Sequence, residues 1–166
     1  AVAEQMTALD ATFLELEEAD PSAHMHIGAV ITFEPGPAPT ADEVAADLED
    51  RLDSLPRYRQ RLSAARTGGL TWPRWEDVPR FDARTQVGRA RLPAPGGRAE
   101  LLEWAGSYFA ERLDRTRPLW ELVVVEGLAG DRWALASKTH HCMVDGVGSV
   151  DASAMLFDIE RHPEAG

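Results

Sequence analysis

The chain has 166 residues, of which 44% are hydrophobic and 27% charged, and this is the size and composition of one globular domain with a buried core. The net charge of −11 argues against nucleic acid as the main partner, because phosphate binding requires a basic surface. The single cysteine, Cys142, excludes an internal disulfide and fits a reducing cytosol, and the apolar runs are too short to span a bilayer.

The charge is unevenly distributed along the chain. Residues 1–50 hold 12 acidic side chains and no Lys or Arg, whereas residues 51–100 hold 11 Arg and 5 acidic side chains. The basic middle segment indicates either a solvated arginine-rich surface or a site that attracts an anion, such as a cofactor phosphate or an anionic lipid head group.

The first part of the chain predicts a helix, a strand and a second helix. The first helix is expected at about residues 8–17, because Thr7–Asp10 resembles the capping box at the start of a helix. His24 to Glu34 is rich in β-branched and apolar residues and predicts a strand. A second capping box, Thr40–Glu43, begins a helix expected at about residues 41–54.

The middle of the chain is rich in proline and glycine, which predicts short elements with irregular backbone between them. Leu70 to Trp75 and Gln86 to Leu92 are predicted to be short strands. The apolar residues after Gly97 recur at helical spacing, so a helix is expected from Gly97 to about Leu113.

The last part predicts a hairpin and a helix. Leu119 to Glu126 and Arg132 to Thr139 are apolar segments joined by a short glycine-containing turn, which is typical of antiparallel strands. Gly148 to Ile159 predicts a helix. Strands and helices are therefore mixed, and the fold class is α/β or α+β.

The sequence His140-His141-Cys142-Met143-Val144-Asp145-Gly146 lies where the second hairpin strand ends. Strand ends of this kind project side chains into a crevice from a rigid base. A histidine with its ordinary pKa near 6.5 can accept a proton there and return it. Asp145 is close enough to fix the local geometry, and Gly146 leaves room for a ligand beside the backbone.

Five other interpretations of the histidines and the cysteine stay open at this point, and the first is a plain structural turn at the motif. Adjacent side chains point in different directions, so one of the two histidines is expected to be a packed structural residue. A metal site with Asp145 is conceivable, although the spacing matches no standard ligand set. Cys142 is either a nucleophile or a small packed residue. His24 and His26 share one face of the predicted strand at metal-like spacing, without an evident third ligand.

Six segments carry a resemblance to a known family: Met6–Leu14, Met25–Gly28, Arg59–Leu62, Leu92–Gly97, Leu113–Glu121 and His140–Gly146. Together they resemble the N-terminal part of the bacterial wax ester synthase/diacylglycerol acyltransferases. The HHxxxDG pattern alone also occurs in carnitine-type, chloramphenicol, plant and condensation enzymes. The preceding Pro118-Leu119-Trp120 makes the resemblance to the lipid enzymes specific.

The resemblance implies a mixed α/β fold (α+β mixed), the N-terminal half of a coenzyme A-dependent acyltransferase fold like that of chloramphenicol acetyltransferase. Such a fold has two similar halves with an active-site tunnel between them. Residues 1–166 are then expected to form the N-terminal acyltransferase domain that carries HHxxxDG. The C-terminal domain is expected to be absent from this chain, although it would supply the other wall of the tunnel.

The same resemblance implies a role for each motif residue. His141 is implied to be the general base that takes the proton of the acceptor hydroxyl and returns it to the departing coenzyme A thiolate. His140 supports the motif, Asp145 holds the turn, and Gly146 keeps the channel open. Pro118, Leu119 and Trp120 are implied to shape the pocket for the acyl chain.

The implied activity is transfer of a fatty acyl group from acyl-CoA to diacylglycerol or a long-chain alcohol, with no bound cofactor and no metal. The expected partners are these substrates, the C-terminal half of the same protein, and a membrane or lipid-body surface, and nucleic acid is not expected. The expected location is cytoplasmic, at the inner membrane face or on lipid bodies. The alternatives are a condensation-like or polyketide-associated acyltransferase, or a non-catalytic half-domain that needs its partner chain.

Overall fold

A computed structural model of the protein describes residues 4–63 and 72–143. The helices are α1 (Ala8–Ala19), α2 (Ala41–Leu52) and α3 (Arg98–Ala110). The strands are β1 (His26–Thr32), β2 (Gln60–Leu62), β3 (Trp75–Asp77), β4 (Val87–Arg91), β5 (Trp120–Leu128) and β6 (Arg132–His140). Short 3₁₀ turns occur at Pro56–Arg59, Ala83–Gln86 and His141–Met143.

The main sheet is mixed and has the strand order β1-β6-β5-β4. Strand β6 runs antiparallel to both β1 and β5, whereas β4 runs parallel to β5. The register places His26 opposite His140 and Trp120 opposite Thr139, so the end of β6 lies between the starts of β1 and β5. A separate pair is formed by β2 and β3. This architecture confirms the predicted mixed α/β class.

The first two helices begin at the caps that the sequence predicts. Thr7 Oγ1 accepts a hydrogen bond from the Asp10 N–H at 3.2 Å at the start of α1. At the start of α2, the Thr40 N–H donates to Glu43 at 2.7 Å and the Glu43 N–H donates to Thr40 Oγ1 at 3.1 Å. These bonds satisfy amide groups that a helix leaves unpaired at its first turn.

The two faces of the sheet bury separate apolar clusters, because successive side chains of a strand point to opposite faces. On one face, Leu135 of β6 belongs to a cluster with Leu48 and Leu52 of α2. On the other face, the neighbouring Ala134 and Ala136 belong to a cluster with residues of α3. The sheet therefore forms the middle layer of the described fold, and β6 is buried on both sides.

Gly28 allows α3 to lie directly against β1. A Cβ atom at this position would overlap the aromatic ring of Phe109 on α3. The backbone carbonyl of Phe109 also lies 2.8 Å from Nε2 of His26, which donates to it. The start of β1 is therefore held to the end of α3 by close packing and a hydrogen bond.

Lys138 of β6 fixes the end of α3 from the other side. Its Nζ donates to the carbonyl oxygens of Tyr108 and Glu111, each at 2.8 Å, and lies 3.2 Å from the carboxylate of Glu121. The ammonium group thus satisfies carbonyls that the last helical turn leaves free and complements the helix dipole. The helix ends at Ala110, and the predicted extension to Leu113 is wrong.

The remaining differences from the sequence predictions are local. The predicted strand from Leu70 to Trp75 has Trp75 as its last residue, whereas Trp75 is the first residue of β3. Residues 64–71 lie outside the described part of the chain. The pattern did not predict β2. The predicted helix from Gly148 to Ile159 also lies outside the described residues. None of the helices in residues 4–63 and 72–143 is long and apolar enough to cross a membrane.

Carboxylates lie beside several arginines of the basic middle segment. The ion pairs are Arg57–Glu4, Arg59–Glu49, Arg59–Asp53, Arg61–Glu76, Arg84–Asp82 and Arg89–Glu126. Most of these side chains are partly exposed, so solvent screens the ion pairs and each contributes little to the stability of the fold. The pairing favours a solvated arginine-rich surface over a dedicated anion site.

Candidate active site

The two histidines of the motif lie at the end of β6, and backbone hydrogen bonds fix both. The His140 N–H donates to the carbonyl of Leu119 at 2.9 Å, directly before β5. The His141 N–H donates to the carbonyl of Met25 at 2.8 Å, directly before β1. The chain then turns into the 3₁₀ segment His141–Met143. Both neighbouring strands therefore hold the pair at the edge where β6 ends.

His141 is the more accessible of the two. His141 is half-buried, and its imidazole stacks on the ring of Phe13 from α1. The ring centroids are 5.2 Å apart and the ring planes differ by 24°. An imidazole that is held on one face and is not enclosed can exchange a proton with a bound molecule.

His140 has a different environment. It is 1% exposed, and its Nδ1 accepts the N–H of Cys142 at 3.1 Å. Burial lowers the pKa of His140 to about 4, although the nearby carboxylate of Glu17 opposes this shift. At neutral pH the ring is therefore uncharged and carries its proton on Nε2. The structure places His140 as a packed residue behind the turn.

The carboxylate of Glu17 faces His140 from α1. Its Oε2 lies 3.2 Å from His140 Nε2, at an angle too oblique for a hydrogen bond. Oε2 accepts the Met25 N–H at 3.1 Å, and Oε1 accepts from Arg115 at 3.1 Å. Burial alone raises the pKa of Glu17, but these two hydrogen bonds and His140 outweigh it, so the pKa lies below its ordinary value. Glu17 is therefore a buried carboxylate.

The sequence predictions did not include Glu17 or Arg115. Arg115 belongs to the segment Leu113–Glu121 that carries the family resemblance, but nothing in the sequence assigns it a partner. The available indication was the position of Glu17 four residues after Phe13, because residues at this spacing share one face of a helix. The structure brings that face to the motif.

Cys142 is buried, and burial raises the pKa of its thiol to about 12. The thiol is therefore protonated at neutral pH, whereas the thiolate is the nucleophilic form. Cys142 thus fits the interpretation as a small packed residue and not as a nucleophile.

The histidines near β1 have structural contacts. His24 stacks on His26 with ring centroids 5.6 Å apart, and His26 is bound to the carbonyl of Phe109. Within residues 4–63 and 72–143, no group of three or more His, Cys, Asp and Glu side chains is arranged to hold a metal ion.

Pro118, Leu119 and Trp120 are buried beside the motif. The Leu119 carbonyl accepts the His140 N–H, and Trp120 Nε1 donates to the carbonyl of Tyr58 at 2.8 Å. The Trp120 side chain is part of the core, so its described contacts are with protein. The predicted role of these three residues in an acyl-chain pocket stays a prediction.

Two further motif residues, Asp145 and Gly146, lie beyond the described residues. Their predicted roles in holding the turn and in keeping the channel open stay predictions.

Comparison with solved structures first defines the class of fold. The starter condensation domain of rhizomide synthetase RzmA, as a point mutant, is similar, with a TM-score of 0.70 and 17% identity over 94% of this chain and 36% of that chain. At this identity the likeness shows the fold alone, which is the one expected for acyltransferases with an HHxxxDG motif. The wax ester synthase/diacylglycerol acyltransferase of Marinobacter aquaeolei VT8 has a TM-score of 0.67 and 32% identity, over 90% of this chain and 37% of that chain.

Sequence comparison then defines the family. The catalytic domain of the wax ester synthase/diacylglycerol acyltransferases matches residues 6–166. The Mycobacterium tuberculosis H37Rv protein tgs1, named a probable diacylglycerol O-acyltransferase, is 43% identical over 153 residues, which are 92% of this chain and 33% of that protein. The chain belongs to the wax ester synthase/diacylglycerol acyltransferase family. It spans about a third of the length of this curated relative and of the similar protein Mb3154c of Mycobacterium bovis.

Proposed function

We propose that this chain carries the general base of an O-acyltransferase that moves a fatty acyl group from acyl-CoA to diacylglycerol or a long-chain alcohol. The observation that carries this proposal is the difference between the two histidines. His140 is enclosed, whereas His141 is half-buried and held at the strand end where the family motif lies.

In the proposed reaction, His141 accepts the proton of the acceptor hydroxyl while the oxygen attacks the thioester carbonyl. The new C–O bond forms and the C–S bond breaks. His141 then returns the proton to the departing thiolate, which leaves as coenzyme A thiol. The acyl group passes directly to the acceptor. Cys142 takes no part, because its thiol is buried and protonated.

The substrates in the proposal are supported by relatives. The similar proteins of Mycobacterium tuberculosis and Marinobacter aquaeolei carry the names of diacylglycerol O-acyltransferase and wax ester synthase. A point mutant of the RzmA starter condensation domain has been solved in complex with C8-CoA. These names support an acyl-CoA donor and a lipid alcohol as acceptor, and hence a role in triacylglycerol or wax ester synthesis.

The proposal includes partners and a place of action. The remainder of the longer protein would supply the second wall of the active site, since the relatives are about three times as long. Lipid acceptors are concentrated at surfaces, so we propose that the protein works at the cytoplasmic membrane face or on lipid bodies. Asp145 and Gly146 would shape the turn after His141, and Pro118, Leu119 and Trp120 would shape the acyl-chain pocket.

The test is His141→Ala in the complete protein, with acyl-CoA and diacylglycerol or a long-chain alcohol as substrates. Release of coenzyme A thiol should fall by about 10²- to 10⁴-fold, which is the usual contribution of a general base. His24→Ala is the matched control, because His24 is exposed. Among the described residues, its ring stacks on that of His26 and on no other ring. Near-normal turnover of His141→Ala would contradict the proposal.

The donor is tested in the same assay. Acyl-CoA and the same acyl group on an acyl carrier protein are compared at equal concentration. We expect a higher kcat/KM with acyl-CoA. A preference for the carrier-bound donor would favour the condensation-like alternative.

A further inference from the structure

We propose that Glu17 is a positioning residue for His141, and that it holds the backbone on both sides of the base through Met25 and His140. The inference rests on the proposed function, in which His141 is the general base. Glu17 is 2% exposed, so it acts through these neighbours and has no access to substrate in the described fold.

The first connection passes through Met25. Glu17 Oε2 accepts the Met25 N–H at 3.1 Å. The carbonyl of the same residue accepts the His141 N–H at 2.8 Å. Met25 therefore joins the carboxylate of Glu17 to the backbone of His141. Displacement of the carboxylate shifts the Met25 carbonyl, which accepts the His141 N–H.

The second connection passes through the ring of His140. Nε2 faces Glu17 at 3.2 Å, while Nδ1 accepts the Cys142 N–H at 3.1 Å. A carboxylate beside Nε2 favours the tautomer with the proton on that nitrogen, which leaves Nδ1 free to accept. The amide that follows His141 is thus held by a ring whose tautomer Glu17 stabilises.

The carboxylate itself is anchored by Arg115. One guanidinium nitrogen of Arg115 donates to Glu17 at 3.1 Å and to the carbonyl of Leu14 at 3.2 Å, and the other donates to Glu18 at 2.7 Å. A buried carboxylate persists only when such partners compensate its lost hydration. Arg115 therefore holds Glu17 in place and fastens α1 to the loop before β5.

The same helix also touches the base directly. Phe13 lies one turn before Glu17 and stacks on the imidazole of His141. Two side chains on one face of α1 thus act on the motif, one on the ring of the base and one on its backbone. This arrangement gives α1 a function beyond packing.

The kinetic test compares Glu17→Gln with Glu18→Gln in the complete protein. Glu18 is the matched control because it contacts the same arginine at 2.7 Å and is largely exposed. We expect kcat to fall by about 10- to 100-fold in Glu17→Gln, since small misplacements of a catalytic group have effects of this size. The KM for acyl-CoA should change by less than about twofold, because substrate contacts are retained. Glu18→Gln should behave as wild type.

A spectroscopic test separates this inference from the proposed function. With ¹⁵N-labelled histidine, the Nδ1 of His140 in the wild type should show the chemical shift of an unprotonated nitrogen. Glu17→Gln should move this signal toward that of a mixture of tautomers and should also shift the signals of His141. Glu18→Gln should leave both residues unchanged.

Either of two results would overturn the inference: wild-type kcat in folded Glu17→Gln, or unchanged ¹⁵N shifts of both histidines in that variant. Near-normal turnover of His141→Ala would overturn the proposed function instead, whatever the spectra of Glu17→Gln. If Glu17→Gln does not fold, Glu17→Asp retains the charge but withdraws the oxygens by one methylene. A loss of kcat and a shift of the His141 signals are then expected, because the Met25 N–H loses its acceptor, and their absence counts against the inference.

Discussion

His140 and His141 are the same type of residue, but they differ in burial and in contacts. One ring is enclosed, uncharged and bonded to a backbone amide, whereas the other is half-buried and stacked on Phe13. The difference arises because neighbouring residues at a strand end point in different directions. The two histidines of the motif therefore have different environments, and of the two rings only that of His141 is accessible.

The environment of His140 predicts a loss of stability in acid. The pKa of His140 is lowered from 6.5 to about 4 in the folded protein, so between these values the unfolded chain binds more protons. The contribution of His140 to the free energy of unfolding should be fully present above pH 6.5 and should decrease as the pH falls toward 4. The full effect is about 3 kcal/mol. The lowered pKa of Glu17 acts in the same direction, because its stabilising contribution is lost as the carboxylate is protonated.

Urea unfolding of the complete protein at pH 7 and at pH 4.5 measures this loss. In His140→Gln the imidazole is absent, so the free energy of unfolding should depend less on pH, by about 2 kcal/mol over this interval. Glu17 keeps its hydrogen bonds from Met25 and Arg115 in this variant. An equal pH dependence of wild type and His140→Gln would show that His140 is not buried in its neutral form.

The sequence indicated the position of the candidate site but not the contacts that surround it. The strand, the turn and the histidine pair are local features, so His141 could be selected from the pattern and the family resemblance. Arg115 and Glu17 are 98 positions apart in the chain, and their contact exists only after α1 docks beside the loop before β5. No local pattern encodes such a pair.

At the scale of elements, the sequence predicted those parts that are governed by local chemistry. The helix caps at Thr7 and Thr40, the apolar periodicity of α2 and the hairpin of β5 and β6 follow from neighbouring residues. The pair β2 and β3 did not, because each strand has three residues and its pairing depends on distant contacts. The end of α3 depends on Lys138, which approaches from another strand.

Close packing of α3 on β1 predicts the effect of a methyl group at Gly28. Gly28→Ala should lower the free energy of unfolding by about 1–3 kcal/mol, because the new Cβ overlaps the ring of Phe109. Gly88→Ala is a matched control in β4, since its Cβ would lie 3.7 Å from the nearest atom, in Val123. The control should differ from wild type by less than about 1 kcal/mol.

Urea unfolding followed by far-ultraviolet circular dichroism measures both changes. Equal stabilities of the two glycine variants would mean that α3 does not lie against β1 as closely as described. A loss confined to Gly28→Ala would link the packing of α3 to the start of β1, where Met25 and His26 adjoin the histidine pair.

At the scale of the whole molecule, the uneven charge of the chain has a structural role. The acidic first segment and the arginine-rich middle segment meet in ion pairs such as Arg57–Glu4 and Arg59–Glu49. The two segments, which are oppositely charged in the sequence, are therefore not kept apart as two separate charged surfaces. Large apolar side chains are exposed on the two elements that contact His141 or lie next to its contacts. They are Leu9 and Leu16 of α1 and Ile27 of β1.

These exposed residues and the length of the relatives predict that residues 1–166 do not complete an active site. Leu9 and Leu16 lie on the helix that carries Phe13, and the chain spans 33% of tgs1. The polypeptide of residues 1–166 alone should therefore show no release of coenzyme A thiol from acyl-CoA and diacylglycerol. Adding the remainder of the complete protein as a second polypeptide should restore it. Transfer by residues 1–166 alone would contradict the prediction.

The same mixture decides whether this chain is catalytic or only a partner module. Residues 1–166 with His141→Ala are combined with the same remainder, and the amount of complex is measured by size-exclusion chromatography. Because His141 is the proposed base, the complex should form normally and transfer should stay absent. If the mixture with His141→Ala is as active as the wild-type mixture, the base lies in the remainder. This chain then contributes a surface to the active site and takes no part in the chemistry.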